Sequence, residues 1–264
     1  MNQYKKSALA GTIGLLLTGA TSAQAHVSYN TSSSLANGNA TNGAGTWTGG
    51  AATDYTGRLP VTWMAHIHGD SSSLEVSTAD ALAEGAPSGY VIETYNNKWN
   101  PASSWGNALD FGLISLSSAA NLTIKVEADA ALGSVFVPGF TLWENWDETT
   151  TSSKHGSWNA DPYNPGNRGA SNLVYLGHAS TTSSDGGVDY SLVGNSVEIT
   201  FLNLAAGHYS LWIGGNGTGS TAIGQQYSAT LTTAPVPVPA AVWLFTTAFA
   251  GMLGLGKRKQ ALQA

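Results

Sequence analysis

One pattern recurs through the second half of the chain and restricts what it can become: apolar and polar residues alternate over short runs, and Gly, Asn, Ser or Asp fill the gaps. In 114–126, ISLSSAANLTIKV, the residues Leu122, Ile124 and Val126 alternate with Thr123 and Lys125, the period of a strand with one buried face. Comparable runs lie at 135–143, 172–176, 188–193, 196–202, 208–214 and 225–232, and the turn formers between them are those antiparallel strands need. The fold class this predicts is all-β: an antiparallel β-sandwich or jelly roll with long loops, its sheets meeting across one core. Helical character is confined to a short stretch at 78–82, stopped by Gly85, Pro87 and Gly89. The stretch TSSSLANGNATNGAGTWTGG reads as loop or edge structure. A long polar connection at 144–169 holds Trp146, His155 and Trp158, and loops of that length between strands are usually functional or mobile.

The two ends read differently from the middle. Lys5 and Lys6 precede an apolar stretch at 8–17, and small residues stand at Ala23 and Ala25. That order predicts a secretory signal peptide over 1–25, cleaved after Ala25. At the other end no charge occurs over 240–255, and Lys257, Arg258 and Lys259 follow at once. The expectation there is a C-terminal transmembrane helix over 240–256 and a basic cytoplasmic tail over 257–264. Pro235, Pro237 and Pro239 make 234–239 an extended spacer, because proline fixes φ and donates no helix hydrogen bond. The exported β-sandwich domain is then 26–233.

The run VPVPAAVWLF, its apolar continuation and KRK together resemble the PEP-CTERM-like sorting signal of bacterial surface proteins handled by exosortase-type systems. Val-Pro-Val-Pro stands where the best-known form has Pro-Glu-Pro. The resemblance implies the export and exosortase-type sorting machinery as partners. It also implies a protein at the cell surface, outer membrane-associated or secreted, that is inner-membrane anchored before any tail cleavage. An uncleaved single-pass anchor is the alternative.

The exported segment is strongly acidic. All 16 carboxylates lie in it, against Arg58, Lys98, Lys125, Lys154 and Arg168, which leaves it near −11 although the whole chain carries −6. Such a field repels phosphate backbones and attracts cations, so nucleic acid is not an expected partner. No cysteine is present; disulfides, thiolate zinc sites and cysteine nucleophiles are all excluded.

The strongest chemical feature is Trp63-Met64-Ala65-His66-Ile67-His68-Gly69-Asp70. In an extended strand His66 and His68 point to one face. Two imidazoles so placed are half of a copper, zinc or nickel site, or an ordinary pair. His26 would become the first residue after signal cleavage, offering an α-amino and a ring nitrogen together. A terminal histidine of that kind resembles the copper brace of copper oxygenases and copper carriers. His178 lies at a strand end where it could face a ligand, and His155 and His208 complete the count.

AHVSYN after the signal, Trp63 with His66 and His68, PGFTLWENW at 138–146, VYLGHAS at 174–180 and LNLAAGHYSLWIGG at 202–215 are similar to the copper-repressible, surface-associated copper-binding proteins of methane-oxidising bacteria and their relatives. That resemblance implies a copper ion, Cu(I) or Cu(II), held by His66, His68, His26 and His178. It also implies a tryptophan oxidised to kynurenine, for which Trp63 is the residue that corresponds. Two residues separate Trp63 from His66.

The function this supports is copper acquisition or storage through a histidine-rich site on an exported, surface-associated protein, with binding rather than turnover. The alternative is a noncatalytic surface adhesion, matrix or carbohydrate-binding β-sandwich, in contact with outer membrane or extracellular matrix, using Trp143, Trp146, Trp158 and Trp212 to stack on sugars. No GxSxG elbow or HExxH helix occurs, so no catalytic residue is assigned, and a copper oxygenase is the lesser enzymatic reading.

Overall fold

The computed structural model describes residues 25–32, 45–48, 55, 61–95, 99, 110–146, 172–217 and 224–237. Their chain order begins with β1 (His26–Tyr29), β2 (Val61–Ile67), β3 (Ser73–Val76), the helix α1 (Thr78–Ala83) and β4 (Glu93–Thr94). It continues with β5 (Asp110–Leu116), β6 (Ala120–Ala128), β7 (Pro138–Glu144), β8 (Val174–Ser180) and β9 (Ser184–Asp185). The last four strands are β10 (Val188–Val193), β11 (Ser196–Leu204), β12 (Gly207–Gly215) and β13 (Gln225–Pro235). They form two sheets. One has seven strands in the order β1-β2-β5-β12-β7-β8-β9; the other runs β10-β11-β6-β13-β3, with β4 paired to β13 off that path.

The second sheet obeys the period-two rule. Leu122, Ile124 and Val126 of β6, Val197, Ile199 and Phe201 of β11, and Tyr227, Ala229 and Leu231 of β13 are all buried. They meet Trp63, Ala65, Ile67, Ile114, Phe140, Leu142, Leu211 and Ile213 of the first sheet in the main core. The first sheet is covered on both faces. Its outer face carries a second apolar layer made of Val61, Met64, Phe111, Leu113, Trp143 and Trp212, roofed by Tyr55, Trp99, Trp146 and Leu173. Strands buried on both sides lose the alternation and read as near-continuous apolar runs, which is how VTWMA in β2 and DFGLI in β5 are written.

The expected antiparallel β-sandwich or jelly roll is corrected by this topology. The structure is mostly β in two sheets, not a closed sandwich. β2 and β5 pair in parallel, from Val61↔Phe111 to Ile67↔Leu116, and the chain between them visits the other sheet through β3 and β4. Parallel neighbours require such a crossover, so the hairpin-by-hairpin path of a jelly roll is broken there. The sheets also keep open edges: all six residues of β10 are exposed.

The short helix is present, with Ser77 as N-cap accepting from the Asp80 amide at 3.1 Å, and Gly85 at φ +93° ends it. Among the described residues no helix is long and apolar enough to cross a membrane. The transmembrane helix and the inner-membrane anchoring expected from the sequence thus find no support among the described residues. The segment assigned to that helix, 240–256, lies outside the described residues, as do residues 1–24 of the signal peptide and most of the 144–169 connection with His155 and Trp158.

Candidate metal centre

β1 is an edge strand, antiparallel to β2 in the register His26↔His66, Val27↔Ala65, Ser28↔Met64 and Tyr29↔Trp63. Directly opposed residues in such a pair share a face with Cβ atoms about 5 Å apart. The His26 and His66 rings consequently stack, centroids 4.8 Å apart and planes 18° from parallel. His68, two residues on, falls on the same face and lies 6.0 Å from His26 at 25°. His26 is exposed, and His66 and His68 are half-buried, so three imidazoles from β1, β2 and the residue that follows β2 form a solvent-facing group.

The rings present faces, not edges, to one another. Imidazole lone pairs lie in the ring plane, and two nitrogens bound to one ion at roughly 2.0 Å each stand no more than about 4 Å apart. Among the described residues no three His, Cys, Asp or Glu side chains are already closed around one point. A metal would require the rings to turn their edges inward, a side-chain rotation that the exposed His26 makes readily.

Next to His26 a groove of about 480 Å³ is lined by Ala25, His26, Val27, Ser73, Leu74, Glu75, Asp80 and Glu84. Its three carboxylates come from β3, α1 and the C-cap of α1 and were not singled out from the sequence, where nothing local ties them to His26. Asp80 accepts from the Tyr29 hydroxyl at 2.6 Å. Burial raises its carboxyl above the usual range, against the lowering effect of that hydrogen bond.

Trp63 is placed elsewhere. It is fully buried on the opposite face of β2, lying over Gly112 so closely that a Cβ there would collide with the indole. Its Nε1 donates to Tyr227 Oη at 2.9 Å. Tyr227 donates in turn to Asp110, whose carboxylate also accepts from the Thr62 hydroxyl. Asp110 is 1% exposed, and burial pushes its carboxyl up to about 6 in spite of hydrogen bonds from Thr62, Tyr227 and the Phe111 amide.

His178 is not brought to the other three either. β5, β12 and β7 lie between β2 and β8, four strand spacings of about 4.8 Å or roughly 19 Å in all. Its Nδ1 lies 2.5 Å from Tyr175 Oη and its Nε2 lies 3.2 Å from Ser183 Oγ. Burial lowers its pKa, opposed by the neighbouring Asp185, and its ring leans on Trp99 at 5.1 Å. His208 is exposed and stacks flat on Trp146 at 3.7 Å and 4°. Trp143, Trp146 and Trp212 are buried, so they do not make the open aromatic platform of the carbohydrate reading.

No protein-family model and no curated protein matches the chain. Among solved structures it is similar to the pre-peptidase C-terminal domain of a collagenase from Bacillus anthracis, at 14% identity and TM-score 0.27 over 64% of this chain and 93% of that one. It is similar to CorA, a surface-associated copper-binding protein important in Methylomicrobium album BG8 copper acquisition, at 12% identity and TM-score 0.34 over 65% and 98%. It is also similar to MopE, a Methylococcus capsulatus secreted protein in which an oxidised tryptophan facilitates copper binding, at 11% identity and TM-score 0.30 over 62% and 84%. The resemblance to copper-binding surface proteins is thus a weak structural one, at low sequence identity.

Proposed function

We propose that this chain is an exported, surface-associated copper-binding protein whose site is the face shared by His26, His66 and His68, serving copper acquisition or storage without turnover. The observation that carries the reading is the cross-strand register His26↔His66, which brings the rings of His66 and His68 within 4.8 and 6.0 Å of the His26 ring. Imidazole is a copper ligand, and copper heads the divalent affinity order. The groove with Glu75, Asp80 and Glu84 borders His26, and carboxylates there raise the local concentration of cations.

Removal of residues 1–25 adds the α-amine of His26 to the same face, beside the acidic groove. In this reading Trp63 anchors β2 from beneath and is not itself a donor; oxidation to kynurenine would have to take place in the dry core, next to Tyr227. His178 belongs to a separate group.

The test is copper retention by protein purified from its native host, followed by competition with a Cu(I) chelator and by nitrogen hyperfine structure in the Cu(II) spectrum. The expected result is one copper per chain, lost in the double variant His66→Ala, His68→Ala and retained in His178→Ala. A chain that retains no added copper, or a double variant that retains it undiminished, overturns the reading.

A further inference from the structure

At the far edge of the seven-stranded sheet a second constellation has the donor chemistry of a harder ion. Pairing of β7 with β8 is regular from Gly139↔Ser180 to Leu142↔Gly177 and then slips, so that Trp143 faces Tyr175 and Leu176 is extra. Side chains three apart in a regular strand point to opposite faces. One extra residue restores them to the same face, and bulges re-aim side chains in this way near functional sites. The slip is what lets Tyr175 Oη approach His178 Nδ1 to 2.5 Å.

The third donor arrives from β9, where Asp185 pairs with His178 and its Oδ2 lies 3.2 Å from Tyr175 Oη. Two glycines permit that approach. Gly177 sits at φ +155° with the Asp185 carbonyl where a Cβ would be, and Gly186, at φ +76°, has the Leu176 carbonyl in the same position. Any side chain at either would push β9 away from the bulge.

We propose that Tyr175, His178 and Asp185 form a second metal site, selective for ferric iron, bound by phenolate, imidazole and carboxylate. Donors bound to one ion at about 2.0–2.1 Å are separated by roughly 2.9–3.3 Å along a coordination edge. The phenol-to-carboxylate distance already has that length, and the phenol-to-imidazole distance needs to widen only slightly. Two anionic oxygens and one nitrogen suit a hard trivalent ion better than Cu(I), which prefers soft ligands.

The surroundings complete the arrangement. A metal-bound histidine ordinarily donates its other N–H to an outer partner, which fixes the tautomer, and Ser183 Oγ stands 3.2 Å from Nε2 to accept it. With that tautomer the Nδ1 lone pair points at Tyr175, and the single phenolic proton lies between two acceptors, Nδ1 and Oδ2. An ion that replaces this proton binds all three atoms together. The opposite tautomer runs Ser183 to His178 to Tyr175 to Asp185 as a chain of hydrogen bonds and leaves no lone pair for a metal. Ser183 therefore decides between a site and a loop brace.

The experiment titrates the purified full chain with ferric nitrilotriacetate and removes unbound iron by gel filtration. The expected result is one retained iron and a visible phenolate-to-iron charge-transfer absorption. Tyr175→Phe removes only the hydroxyl and keeps the ring edge-on to Trp143 at 5.4 Å, so near-ultraviolet circular dichroism stays that of the parent. That variant should lose the absorption, and Asp185→Asn should lower iron retention at least about tenfold, which is roughly 1.4 kcal/mol. The double variant His66→Ala, His68→Ala should leave both signals intact, which separates this site from the copper reading. Absence of iron retention by the parent chain, iron without the charge-transfer absorption, or an absorption that survives Tyr175→Phe overturns the proposal.

Discussion

Replacing Asp110 with Asn removes a buried charge that ties three strands together, and its effect should depend on pH in a defined direction. Asp110 opens β5, receives hydrogen bonds from Thr62 of β2 and Tyr227 of β13, and through Tyr227 reaches the Trp63 indole. Its carboxyl is pushed up from 3.8 to about 6, with desolvation the largest cause. A folded-state pKa above the unfolded one means that the native protein holds its proton more tightly. The corresponding stability is fully present below about pH 4 and is lost as pH rises through about 6. At 1.36 kcal/mol per pKa unit, that displacement corresponds to about 3 kcal/mol. Tyr227 stays a phenol throughout, because burial and the adjacent carboxylate both raise its pKa. The assay is urea unfolding of the parent and of Asp110→Asn at intervals from about pH 4 to about pH 7. The other carboxylates titrate in both proteins and cancel in the difference; the altered hydrogen bonding of the amide adds only a constant offset. Relative to the variant, the parent should lose about 3 kcal/mol across the window, with most of the change between about pH 4 and 6. Two stability curves that run parallel would refute the reasoning, and so would a parent that gains on the variant as pH rises.

Three further perturbations test the packing around the sites. Gly112→Ala puts a Cβ into the Trp63 indole and should cost about 1–3 kcal/mol or more by overpacking, read as a lower thermal midpoint with displaced tryptophan fluorescence. His208→Ala uncovers the Trp146 ring it stacks on at 3.7 Å; the expected loss is about 0.5–1.5 kcal/mol, with a red shift of tryptophan emission, and an unchanged spectrum would speak against the stacking. Ser77→Ala deletes the N-cap acceptor of α1 and should cost about 0.5–2 kcal/mol in chemical denaturation. Because α1 carries Asp80 and its C-cap Glu84, the same change should also weaken cation attraction at the groove.

The sequence made the second sheet readable because that sheet behaves locally. Each of β6, β11 and β13 buries one face, so period two appears in the residues themselves and again in their burial. The first sheet was harder to read because the aromatic layer covers its outer face, and a strand covered twice carries no alternation to detect. The parallel pairing of β2 with β5 joins segments separated by β3, α1 and β4, and no local pattern announces a partner that distant. The histidine face was half legible. Spacing placed His66 and His68 on one face, but the register that sets His26 opposite His66 is a property of the pair of strands. Trp63 adjoined the motif in sequence and left it in space, since alternation sends it into the core. Tyr175 was not singled out and Asp185 was not tied to His178, because a bulge and a strand register, not spacing, bring them together.

Both histidine groups lie on the seven-stranded sheet, and their separation has a thermodynamic consequence. His26, His66 and His68 occupy the β1 and β2 edge, whereas Tyr175, His178 and Asp185 occupy the β8 and β9 edge, with β5, β12 and β7 between. The buried layer of Phe111, Leu113, Trp143 and Trp212 fills the outer face of the intervening strands. No donor is shared between the two groups, and the distance is roughly twice the 7–10 Å beyond which perturbations normally add. Coupling would have to pass through the packed aromatic layer, and a densely packed core resists small displacements. Copper at one edge should therefore leave iron affinity at the other unchanged within about 0.5 kcal/mol, the ordinary limit of additivity. Titration of each ion in the presence and absence of the other measures this directly. A several-fold mutual shift would show that the two edges are coupled through the sheet, and their treatment as independent sites would fail.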